Sequence, residues 1–63
     1  SCHLKITSAL SGSLEQEFLG LKEGEPYIQE EQTTYPSNGS VFEFTLNRRH
    51  YAEFEFQTVI VEQ

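Results

Sequence analysis

Phe42, Phe44 and Leu46 alternate with polar residues inside residues 41–46, and residues 52–56, Ala-Glu-Phe-Glu-Phe, repeat the pattern. A period of two suits a strand with one covered face and no helix. Pairing Phe42 with Phe56, Phe44 with Phe54 and Leu46 with Ala52 stacks the aromatics on one face. That register leaves Arg48-Arg49-His50 as a hairpin tip; a shift by two residues moves the tip to Asn47-Arg48-Arg49. A shift by one buries the glutamates, so odd registers are excluded.

The rest of the chain follows the same rhythm. Residues 3–7, His-Leu-Lys-Ile-Thr, alternate and predict a first strand, and Ser11-Gly12-Ser13 predicts a turn. Residues 14–21 fit two templates. Ser13 with Gln16 makes a capping box, and Leu14, Phe18 and Leu21 fall at helical spacing. Gly20 and the short length weaken the helix, so a strand is the favoured reading there. Residues 22–26 are a charged turn. Residues 27–34 are polar and β-prone, with nothing large after Ile28 to fill a core, which predicts an edge strand. Asn38-Gly39 is a strong hairpin signal. With Ser40 it also matches an N-glycosylation acceptor, although turn chemistry alone accounts for the three residues.

These segments add up to an all-β fold: one small domain over residues 1–63, an antiparallel meander or barrel-like sheet of about five strands. The alternative keeps one short helix at residues 14–21. So short a chain cannot easily build a second full sheet. The apolar face is therefore covered by residues 14–21, by curling of the sheet, or by a second copy.

Charge and composition exclude several functions. Ten acids, all Glu, stand against four Lys+Arg, giving a formal charge of −6. Four scattered cations argue against a nucleic-acid backbone as partner. The absence of Asp removes a Ser-His-Asp triad, an aspartic dyad and the usual calcium loop. The four glycines build no phosphate cradle, no cofactor motif is present, and one cysteine closes no internal disulfide. The longest apolar run, Val59-Ile60-Val61, is far shorter than the ~20 residues of a membrane span. With two histidines as the only bases near neutrality, a catalytic role is not expected.

Four residue sets carry the remaining expectations. Glu43 lies across from Glu55 in the favoured register, with Glu53 beside them. Retained like-charge repulsion points to a non-catalytic interaction module docking on a basic protein surface, of inhibitor or immunity type. Arg48, Arg49 and His50, with Tyr51 alongside, offer a site for a small anion or acidic glycan. Val59 and Val61 make the last strand apolar on both faces, so something covers them. An apolar face completed by copies of the chain would make it a structural subunit, a homo-oligomer. Finally, Ser1-Cys2-His3 has the amine, amides and imidazole of a planar copper(II) or nickel(II) site.

Overall fold

The computed structural model describes residues 1–38 and 41–61. Strand β1 (Cys2–Leu10), helix α1 (Ser13–Leu19), strand β2 (Pro26–Thr34) and strand β3 (Glu43–His50) follow in order, then a 3-10 turn at Tyr51–Glu53. The strands form one open antiparallel sheet in the order β1-β2-β3. The molecule is mostly β with one short helix. Among the described residues three strands stand where patterning predicts about five, and the sheet they form is open where patterning allows a barrel-like closure. Among the described residues no helix is long and apolar enough to cross a membrane.

Residues 14–21 are helical rather than extended, and the caps explain it. The Glu15 carboxylate accepts from the Gly12 N–H at 2.8 Å, and Gln16 N–H closes the first helical turn on the Gly12 carbonyl at 3.0 Å. The capping pair thus lies one residue before the expected Ser13 and Gln16. Gly20, at φ +69°, ends the helix in the left-handed conformation that glycine adopts without a Cβ penalty. The Gly20 and Leu21 N–H groups both donate to the Gln16 carbonyl. This reversal tucks in Leu21, 6% exposed and the one buried apolar side chain among the described residues.

The connection into β2 is a tight turn. Glu25 N–H donates to the Lys22 carbonyl at 3.0 Å, and the Glu25 carboxylate accepts from Lys22 N–H at 2.7 Å. Gly24 within it has φ +84°.

β2 is the central strand, correcting the expectation of an edge. β1 pairs along it from Cys2↔Thr34 to Leu10↔Pro26, and β3 pairs along its other side from Thr34↔Glu43 to Tyr27↔His50. The Asn38-Gly39 turn signal does lie between two paired strands, although Gly39 and Ser40 fall outside the described residues. Beyond the ladder, the Tyr35 and Phe42 rings still meet at 6.1 Å between centroids.

The expected hairpin of residues 41–46 with 52–56 does not form. β3 pairs instead with β2 over eight positions, a ladder that sets Leu46 opposite Glu31 and Phe44 opposite Thr33. Arg48 and Arg49 therefore stand inside a strand and not at a tip, and residues 54–61 lie outside the sheet. Glu43 faces Thr34 instead of Glu55.

The parity of the ladders is set at both ends of β1. Ser1 and Tyr35 exchange backbone hydrogen bonds (2.8 and 2.7 Å), and Ser11 N–H donates to the Glu25 carbonyl at 3.0 Å. Odd-numbered amides of β1 hence face β2, and the amides of Cys2, Leu4, Ile6, Ser8 and Leu10 face the open edge. Even-numbered β2 amides face β3. Pro26, which has no N–H, falls where β3 has already ended.

One face carries Leu4, Ile6, Leu10 and Ile28; the other carries Tyr27, Phe44 and Leu46. The large apolar residues of the two outer strands thus lie on opposite faces, and among the described residues no second layer covers either face. The molecule measures 44 × 32 × 13 Å, one sheet thick, with a Cα radius of gyration of 15.2 Å. A compact domain of this length has a radius of about 11 Å.

Amide exchange checks the topology. Consecutive amides from Ile28 to Thr33 should be protected, whereas dilute protein should protect only alternate amides in β1 and β3. Alternate protection in β2 would place it at an edge.

Candidate functional site

The polar side chains of β2 are held by cations on the strands beside it. On the Tyr27 face, Lys5 lies 3.9 Å from Glu31, and Glu31 accepts from Gln29 Nε2 at 3.1 Å. Gln29 in turn accepts from Arg48 Nε at 3.1 Å. The Arg48 guanidinium lies 5.6 Å from the Tyr27 ring centroid and reaches Glu15 of α1 at 3.5 Å. On the opposite face Arg49 pairs with Glu30. Helix α1 is thereby joined to the sheet through one ion pair.

The Arg48, Arg49, His50, Tyr51 set is therefore split. The two guanidiniums occupy opposite faces, each already on a carboxylate, and do not converge on one anion. His50 turns its Nδ1 to accept from Ala52 N–H at 3.0 Å and stacks on Tyr51, centroids 4.8 Å apart. Tyr51 Oη donates to Glu25 at 2.5 Å. One carboxylate thus ties the turn before β2 to the 3-10 turn after β3.

This bond holds the Glu25 carboxyl below the ordinary Glu range, helped by the Lys22 N–H, and pushes the Tyr51 hydroxyl upward. The lowered Glu25 pKa contributes stability above the ordinary value, and that contribution is lost as pH falls through the folded-state pKa. The raised Tyr51 pKa contributes stability below its ordinary value of about 10, lost as pH rises past the folded-state value. The brace is consequently intact from mildly acidic to mildly alkaline pH.

The acidic set is dispersed: Glu43 begins β3, Glu53 ends the 3-10 turn, and Glu55 lies in the extended segment beyond, accepting from Gln57 Nε2 at 2.8 Å. Val59 and Val61 are 88% and 78% exposed, and Ile60 82%, so the expected cover over them is not made within the described residues.

Ser1, Cys2 and His3 are drawn into the sheet. The Ser1 amine donates to the Tyr35 carbonyl at 2.8 Å, and Cys2 Sγ accepts from Gln32 Nε2 at 3.3 Å. Cys2 and His3 are consecutive in β1, so their side chains take opposite faces, and the His3 amide faces β2. Planar wrapping of these nitrogens around an ion requires that the start of β1 unzip. Among the described residues no three His, Cys, Asp or Glu side chains form a metal-binding group.

Glu15, Glu25 and Gln29 do most of the joining; sequence reasoning counts Glu15 among the glutamates extending an acidic face and gives none of the three a joining role. The Gly12-x-x-Glu15 spacing is a signal for the first; the roles of the other two depend on contacts between distant segments. Compared with protein families, curated proteins and solved structures, the chain matches none.

Two experiments probe this network. Tyr51→Phe should raise the Glu25 pKa toward the ordinary value in a carboxyl NMR titration; an unmoved value would mean that the brace is absent. Arg49→Ala should cost under about 1 kcal/mol, as exposed pairs do. Arg48→Ala, which also loses Tyr27 and the half-covered Glu15 pair, should cost about 1–2 kcal/mol. Urea midpoints at one fixed chain concentration compare the two, and equal costs would contradict the assignment.

Proposed function

We propose that this chain is a non-catalytic interaction module whose one-layer sheet is completed by apolar contact with another protein surface. The observation that carries the reading is accessible surface. The chain exposes 5360 Å². A compact folded monomer of its 7.3 kDa exposes about 4,200 Å², leaving about 1,200 Å² in excess. Leu4 and Ile6 on one face and Phe44 and Leu46 on the other remain exposed.

Apolar association is better supported than docking through Glu43, Glu53 and Glu55. The like-charge opposition of Glu43 and Glu55 that motivates an acidic docking face is not formed, and Lys5, Arg48 and Arg49 are engaged with glutamates of the same chain. Apolar contact survives screening, whereas acidic docking weakens as the Debye length falls to about 3 Å at about 1 M salt.

Sedimentation over a concentration series, in low and high salt, tests the reading. Association that persists in high salt is expected. A compact monomer under all conditions, with a radius of gyration near 11 Å, would mean that the chain covers its own apolar surface and would overturn it.

A further inference from the structure

Resting on that reading, we propose that the other protein is a second copy of this chain, and that residues 54–61 of one copy add as a strand to the open edge of β1 in the other. The acceptor is well defined. β1 presents five outward amides, those of Cys2, Leu4, Ile6, Ser8 and Leu10, over nine residues containing no proline or glycine and one charge, Lys5. Exposed edges are normally blunted by charge, proline or a bulge; β1 has only the lysine. β3, the other edge, carries Glu43, Arg48 and Arg49.

The donor is its counterpart. Residues 54–61, Phe-Glu-Phe-Gln-Thr-Val-Ile-Val, contain aromatic and β-branched side chains and no glycine or proline. They begin in extended backbone, φ −86° and ψ +131° at Phe54, and join no strand. Val59, Ile60 and Val61 are 88%, 82% and 78% exposed. The charge on this segment, Glu55, is opposite in sign to Lys5 on the acceptor.

Each chain carries both a donor and an acceptor, so exchange between copies is self-complementary.

Two proline variants of the full chain test the exchange. Ser8→Pro removes an outward amide from the acceptor and leaves the β1–β2 ladder intact, because that ladder uses odd-numbered amides. Ile60→Pro spoils the donor, which lies outside the sheet, and so puts the fold of the acceptor at no risk. Each should weaken self-association, measured by sedimentation, by about tenfold or more. In the unmodified chain, exchange protection at Leu4, Ile6 and Ser8 should rise with concentration. Should Ser8→Pro fail to fold, Ile60→Pro and the amide protection decide the matter alone. Association of Ile60→Pro at unmodified strength, with Leu4, Ile6 and Ser8 still unprotected, would overturn strand exchange and leave apolar association standing. A compact monomeric unmodified chain would overturn both.

Discussion

Backbone pairing on both sides of β2 is the constraint on which everything else in this molecule depends. Ladders to β1 and β3 run along nearly its whole length, and they fix which side chains share a face. Once fixed, that register places Lys5 near Glu31, Arg48 against Gln29 and Arg49 on Glu30. A polar strand is an unusual sheet centre. It is tolerated because cations on the outer strands meet its carboxylates and because neither face is sealed from water. The seven-residue helix, too short to persist alone, is held by its Gly12–Glu15 and Gly20 caps and by the Arg48–Glu15 pair.

The same register creates the molecule's deficit. Leu4 and Ile6 lie on one face and Phe44 and Leu46 on the other, so a single covering segment cannot bury both sets. A three-stranded sheet without a covered face is marginal in water, and exposed ion pairs contribute little to its stability. The thickness of 13 Å and the near absence of buried side chains are the geometric expression of this. Completion by a second protein layer follows from the deficit. An open β1 edge and an unpaired, β-prone segment on the same chain offer a separate route by which two copies join, extending the sheet sideways.

Much of this architecture is legible in the sequence where one strand has one plausible partner. The alternation of Leu4 and Ile6 marks β1, the Lys22-Glu23-Gly24-Glu25 cluster marks a turn, and Asn38-Gly39 marks the connection from β2 to β3. Sequence reasoning fails where two arrangements satisfy the same local rule. Alternation marks residues 42–46 as a strand without naming its partner; apolar matching points to residues 52–56, and the ladder that forms, eight positions long, is with β2. Arg48 and Arg49 consequently change from a joint hairpin tip into opposite faces of a strand, and the anion site and acidic face expected from the other pairing are not assembled. β2 resembles an edge strand because polarity is the usual mark of exposure; here its glutamates are covered by ion pairs from both sides. The helix at residues 14–21 turns on Gly20, which weakens a helix interior but ends one well.

Calorimetry over a concentration series tests most directly whether this chain depends on another protein layer. The account predicts a Tm that rises with chain concentration, because association stabilises the folded state by mass action. It also predicts that dilute chain unfolds with a heat-capacity change well below the roughly 0.8–0.9 kcal/mol/K of a complete domain of this length. A Tm independent of concentration, together with the full heat-capacity change in dilute solution, would show that the chain buries its own core and would contradict the account.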